Sequence, residues 1–122
     1  MGKVLLVCDD LRGFPPYGGI LSALGYDVVM CSSYEEGARR VEMEEFDFAI
    51  VGQGSASFEG RYVLERAAEA HRTTPIVVVA RCLDIHCYLE AMDLGAVDYL
   101  ERPEPDDLGW VMETQLRHRY AA

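Results

Sequence analysis

Five short apolar runs recur along the chain, separated by stretches in which apolar residues return every three or four positions. The first run, Val4-Leu5-Leu6-Val7-Cys8, is unbroken, as expected of a strand buried on both faces. Similar runs cover 28–31, 48–51, 76–80 and 97–100. The intervening periodicity predicts helices over 15–24, 33–45, 61–70, 84–94 and 106–120. Punctuation residues agree with these limits. Pro15-Pro16 can open the first helix, and Gly25 stops it. Gly18-Gly19 inside that helix weaken it by about 1 kcal/mol each relative to alanine. Ser33 is placed to cap the second helix, with Glu36 as its capping-box partner. Residues 11–14 read as irregular, and 52–60 as a loop of small residues. Thr74-Pro75 reads as a turn, Gly95 as a helix stop, and Pro103 and Pro105 as breaks before the last helix starts at Asp106 or Asp107.

Strands alternating with helices predict a parallel sheet covered on both faces. Right-handed crossovers make this a doubly wound, three-layer α/β/α sandwich of (βα)5 type. With 122 residues the chain has material for one domain, 1–122, and one core. In such sheets the chemistry sits at the carboxyl ends of the strands. At the end of the third run stands Gly52, which offers no side chain and so neither a nucleophile nor a metal ligand.

Charge narrows the partners. Eleven basic against 21 acidic residues give a net charge of −10, which repels nucleic acid and anionic membrane. No apolar run approaches the roughly 20 residues that span a bilayer. A strand begins within three residues of the start, with no basic and apolar leader, which points to the cytoplasm. The four cysteines, Cys8, Cys31, Cys82 and Cys87, fit neither a paired zinc motif nor a disulfide framework. Cys82, Asp84, His86 and Cys87 resemble a ligand cluster in composition, but positions five apart on a helix project in different directions.

Several separate segments resemble the receiver domain of two-component response regulators, over essentially the whole length. These are Lys3-Val4-Leu5-Leu6-Val7, Gly25-Tyr26-Asp27-Val28, the approach Phe46-Asp47-Phe48-Ala49-Ile50-Val51, and Gly60. Pro75-Ile76-Val77-Val78-Val79 and Gly95-Ala96-Val97-Asp98-Tyr99-Leu100, followed by Arg102-Pro103, continue the match. The resemblance implies a flavodoxin-like, CheY-like sheet with strand order 2-1-3-4-5. It also implies phosphoryl transfer from a histidine kinase to an aspartate, helped by Mg²⁺ on an acidic pair, a Thr or Ser hydroxyl and a lysine. Such a reaction needs a cation and a basic side chain because the transferred group is highly charged.

Set on this family pattern, the acceptor falls on Gly52, the hydroxyl on Ala80 and the lysine on Arg102. The acidic pair falls on Cys8 and Asp9 in the gapless register, or on Asp9 and Asp10 with a one-residue shift. The resemblance therefore implies a degenerate receiver: no catalytic residue, little or no Mg²⁺ binding, and metal ligation by Asp9 and Asp10 only as a minor alternative. Arg102, joined secondarily by Arg81, is expected to neutralise Asp9 or Asp10, the competing reading being that Arg102 points to solvent. Ser55, Ser57 and Glu59 lie in the loop that follows Gly52, where a serine without an adjacent base is a weak substitute nucleophile.

The family's output face, formed by its fourth helix, fifth strand and fifth helix, would include Tyr88, the aromatic switch position Tyr99, and Trp110. On the last helix Leu108, Val111, Met112 and Leu116 form one apolar side, and Trp110 lies off it. Tyr62, His71 and His118 read as surface or half-buried residues. The expectation is a protein-interaction module whose partner is a histidine kinase or another signalling protein, or a second copy through that face, with no nucleic acid and no membrane. The competing readings are a receiver phosphorylated or metal-bound at an unusual residue, and a flavodoxin-like cofactor binder. The acidic stretch Cys8-Asp9-Asp10 stands against the last, where a phosphate would have to sit.

Overall fold

In a computed structural model, which describes residues 2–120, five strands alternate with five helices. The strands are β1 (Lys3–Val7), β2 (Asp27–Cys31), β3 (Phe48–Gly52), β4 (Ile76–Ala80) and β5 (Asp98–Glu101). The helices are α1 (Tyr17–Ala23), α2 (Tyr34–Met43), α3 (Arg61–Glu69), α4 (Ile85–Asp93) and α5 (Pro105–Tyr120). All strand pairs are parallel, in the order β2-β1-β3-β4-β5. The expected architecture is therefore the one found, with strand limits displaced by one residue.

Alternation along the strands splits the core in two. Leu5, Val7, Ala49, Val51 and Val78 face α2, α3 and α4. Val4, Leu6, Phe48, Ile50, Val77 and Val79 face α1 and α5. Because both faces are covered, β3 and β4 are buried at every position. That is why they read as unbroken apolar runs.

The helix ends follow local chemistry. Ser33 Oγ accepts from the Glu36 backbone N–H at 3.2 Å. The Glu36 carboxylate turns to Arg39 instead of back to the cap, so only half of the expected capping box forms. Gly25 and Gly95 follow α1 and α4 with φ of +96° and +94°, the left-handed geometry that ends a helix. Gly18 is buried in α1, where an added Cβ would lie 2.8 Å from Met30 Sδ, so its cost in helix propensity is offset by close contact with β2.

Among the described residues no helix is long and apolar enough to cross a membrane. Tyr62 and His71 are exposed, as read from the sequence. The side chain of His118 lies outside the described residues.

Candidate functional site

The carboxyl ends of β1, β3 and β4 bring Cys8, Gly52 and Ala80 into one cluster. A Cβ added to Gly52 would lie 2.9 Å from Cys8 Sγ and 3.2 Å from the Tyr34 hydroxyl. The position is therefore closed as well as bare. Cys8 is buried, which pushes its thiol pKa up, and its Sγ donates to the Asp10 carbonyl at 3.2 Å. Tyr34 opens α2 and donates to Asp9 Oδ1 at 3.1 Å. Burial, followed by the Asp9 charge, raises the Tyr34 phenol. What remains between Cys8, Asp10, Gly52, Ala80 and Arg81 is a cavity of about 10 Å³. That is the room of a single water at most.

The acids next to this cavity are already satisfied. Asp10 binds Arg12 in a fork, Nε to Oδ1 and Nη2 to Oδ2 at 3.0 Å each, and Arg81 Nη2 stands 3.2 Å from Oδ2. The Arg12 hydrogen bonds hold the Asp10 carboxyl down at a pKa of about 2. Arg81 also donates to the Asp10 carbonyl at 2.5 Å and to the Arg12 carbonyl at 3.0 Å. Its guanidinium lies 5.3 Å from the centre of the Phe14 ring. Arg81 thus staples the loop that follows β1.

Arg102 does not take that role, which corrects the principal pairing read from the sequence; Arg81, named second there, takes it. Its Nε donates to the Arg81 carbonyl at 3.0 Å, and it makes no ion pair among the described residues. The reason is sheet order. Arg81 leaves β4, two strands from β1, whereas Arg102 leaves β5, three strands away at roughly 4.8 Å per strand. Arg102 also sits at φ +39°, with its N–H bonded to the Ala80 carbonyl at 2.8 Å.

The donor set does not fit Mg²⁺. Asp10 is engaged by two arginines, Asp9 by Tyr34, and position 52 offers no side-chain oxygen. Among the described residues no group of three or more His, Cys, Asp or Glu could hold a metal. The Cys82 to Cys87 cluster is dispersed. Asp84 caps α4 by accepting from the backbone N–H of His86 and Cys87, and Cys87 is buried, with its thiol pKa pushed up to about 11 by that burial.

Ser55 is paired with Glu59 of the same loop. Its hydroxyl donates to both Glu59 carboxylate oxygens, at 2.9 and 2.8 Å. These bonds lower the Glu59 pKa, which makes it a poorer base, so Ser55 is held as a loop clasp. Gly60 N–H closes the same loop on the Gln53 carbonyl at 3.1 Å.

Tyr99 is turned inward and buried. Its hydroxyl donates to Gln53 Oε1 and accepts from the Asp84 N–H at 3.1 Å. Tyr88, half-buried, meets it edge-on with ring centres 5.8 Å apart. Gln53 is the buried polar side chain among the described residues, and its Nε2 donates to the Ser55 carbonyl at 3.2 Å. Position 53 was readable as a candidate, since it follows Gly52 directly. Tyr34 was readable only by noting that the first residue after each strand-to-helix loop lies at this edge. Trp110 is 68% exposed, as its place off the apolar stripe predicts, while Leu108, Val111 and Met112 are buried and Leu116 is half-buried.

No protein-family profile matches the chain. It is 24% identical over 119 residues to the transcriptional regulatory protein ZraR of Escherichia coli K12, covering 97% of this chain and 27% of ZraR. It is 28% identical over 119 residues to the alginate biosynthesis transcriptional regulatory protein AlgB of Pseudomonas aeruginosa, covering 97% of this chain and 26% of AlgB. The chain thus spans about a quarter of the length of these relatives. Because they are transcriptional regulators by name, the charge argument against nucleic acid applies to the surface of this domain alone.

A CheY-like response regulator receiver domain protein from Methanospirillum hungatei superposes with a TM-score of 0.86 at 24% identity, covering 98% of this chain and 96% of that one. A two-component response regulator from Clostridium difficile gives 0.86 at 20% identity, covering 99% and 100%. Strand order and topology give the chain the CheY-like fold, and its sequence is similar along nearly its whole length to the amino-acid sequences of these transcriptional regulatory proteins.

Proposed function

We propose that this receiver acts in two-component signalling as a protein-interaction module that does not depend on phosphorylation. The observation that carries the reading is the closed pocket. Where an acceptor side chain would project from position 52, the Cys8 thiol and the Tyr34 phenol occupy the space, and about 10 Å³ remains. The geometry also favours the gapless register, in which Cys8 and Asp9 stand for the acidic pair. Cys8 is the side chain directed at Gly52, and Asp9 is turned to Tyr34.

The chemistry of the reaction has lost its parts together. A phosphoryl group needs a nucleophile, a divalent cation and donors for its oxygens. Gly52 supplies no nucleophile, and Ala80 supplies no hydroxyl. The cationic Arg81 is spent on Asp10 and on two backbone carbonyls. The partner expected for such a module is a histidine kinase or another signalling protein.

The test is incubation with acetyl phosphate and millimolar Mg²⁺, read by intact mass. No phosphorylated species is expected, and Mg²⁺ leaves the thermal transition in place. A stoichiometric gain of one phosphoryl mass would overturn the reading, whichever residue carried it.

A further inference from the structure

On the side of the sheet covered by α1 and α5, the two helices do not close on each other. A groove of about 950 Å³ runs between them, walled by Ile20, Leu21 and Leu24 on one side and by Leu108, Trp110 and Met112 on the other. Small-ligand sites occupy roughly 300–1,000 Å³. At the lips Leu24 is 59% and Trp110 68% exposed. The floor is held in place, because buried Tyr17 donates to the Pro103 carbonyl at 2.5 Å. No residue of this groove lines the closed cavity at the carboxyl edge.

Two features of the chain suit the groove to a compact apolar guest. From Gly13 to Tyr26 there is no charged residue, the longest such stretch in a protein of net charge −10. One wall is therefore a surface helix without charge. The second feature is Gly109, inside α5. A glycine there costs about 1 kcal/mol relative to alanine. At Gly18 and Gly37 close packing explains the glycine, since an added Cβ would lie 2.8 Å from Met30 Sδ and 2.5 Å from Val7 Cγ1. Gly109 lines the groove, and an added Cβ would meet nothing within 4 Å. Packing within the chain does not require this glycine, and its effect is to leave the α5 wall bare beside Trp110.

Charge at the two ends selects the polarity of the guest. Among the described residues the cation in the lining is Arg117, and Glu113 takes it at 2.6 Å. At the other end Asp106 makes no ion pair among the described residues. Burial, and then the charges of Glu104 and Asp107, push the Tyr17 phenol up to about 12, so the field at this end is negative. An ammonium gains from that field, whereas a carboxylate or phosphate finds no free cation. A second copy of the chain is a poorer occupant, because a two-fold contact sets one groove over the other and fills neither.

We propose that the groove between α1 and α5 binds a small organic amine, its apolar body between Leu24 and Trp110 and its ammonium beside Asp106. The site stands apart from the closed pocket and goes beyond the interaction-module reading.

Trp110 is the only tryptophan in the chain, so its fluorescence reports from the groove itself. The full chain is titrated near neutral pH with adamantylmethylamine and with adamantanecarboxylate, two rigid apolar probes of opposite charge and without fluorescence. Saturable binding of the amine is expected, with amide shifts along α1 and α5, and binding of the carboxylate about tenfold weaker or more. Gly109→Leu puts a side chain into the groove and should weaken the amine about tenfold or more, while the thermal transition holds or rises because leucine favours helix. Leu24→Ser at the opposite lip should weaken it as well. Asp106→Asn should narrow the difference between the two probes. Leu89→Ser on α4 and Tyr62→Ser on α3 should change neither.

Binding of neither probe, or equal affinity for both, overturns the proposal. So does amine binding that survives Gly109→Leu and Leu24→Ser, or that falls equally with Tyr62→Ser, which would mean general attraction to an acidic surface. A dimer in sedimentation that Gly109→Leu dissolves assigns the groove to a second copy and overturns it too. Phosphorylation detected by mass would end the reading of the pocket and leave this titration as it stands.

Discussion

The carboxyl edge of the sheet and the α4–β5–α5 face are joined through Tyr99, yet they differ in every respect that governs binding. At the edge, polar groups are engaged within the chain: Asp10 is compensated by two arginines, and Asp9 accepts a hydrogen bond from a phenol. Its cavity is reduced to about 10 Å³. On the face, Asp93, Asp98, Glu101, Glu104, Asp106 and Asp107 make no ion pair among the described residues, and Ile85, Leu89 and Met92 of α4 stand in solvent. A region that has satisfied its own groups has little left to offer a ligand, since each new contact must first break an old one. A region with exposed apolar surface and unpaired charge gains from a complementary partner. The contrast teaches that one region of a small domain can satisfy its own groups while a neighbouring region stays open to a partner.

The contrast is most exposed at Gly52. Gly52→Asp should cost about 3 kcal/mol, from overlap with Cys8 and from burying a carboxylate beside Asp9. A lowered urea midpoint measures this, and adding Cys8→Ala should recover part of it. If Gly52→Asp keeps full stability and accepts a phosphoryl group, the edge is not closed.

The link between the two regions comes next. Tyr99→Phe leaves Gln53 Oε1 and the Asp84 N–H without a shared hydroxyl, at about 1–3 kcal/mol by chemical denaturation. Amide exchange at the start of α4 should rise in the same variant. Unchanged exchange there would mean that Tyr99 does not tie the edge to the face.

Arg81 and Arg102 offer a smaller test. Arg81→Gln should cost about 1 kcal/mol, because half-exposed hydrogen bonds from a guanidinium to two carbonyls and a carboxylate are lost. Arg102→Gln should cost less. The reverse order would restore the role that Arg102 was expected to play.

The smallest effect is a pH dependence at Asp10. Its pKa is depressed in the folded chain, from the ordinary 3.8 to about 2. The stability it contributes is therefore present above pH 3.8 and lost as pH falls through 2. Relative to Asp10→Asn, the parent chain should lose its advantage across that window. A constant difference between the two acid limbs would detach Asp10 from the edge.

Legibility in the sequence followed burial. β3 and β4 were readable because full burial on two faces demands unbroken apolar runs. The shared position of Gly52, Ala80 and Arg102 at one edge was readable because topology places strand ends together. The contacts of Tyr34 with Asp9 and of Tyr99 with Gln53 were not, since each depends on side-chain directions across elements distant in sequence.

The order of apolar and polar residues by itself determined five strands, five helices, a doubly wound sheet and a missing side chain at position 52. Those properties follow from periodicity, turn residues and the connection rules of parallel sheets. Only the tertiary structure decided that Cys8 and Tyr34 fill the vacated space and that Arg81 takes Asp10 in place of Arg102. It also decided that Tyr99 is buried while Ile85, Leu89 and Trp110 are exposed. The reason is physical. Periodicity records which side of an element is apolar, whereas reach, close approach and pairing depend on distances between elements that the chain order does not contain.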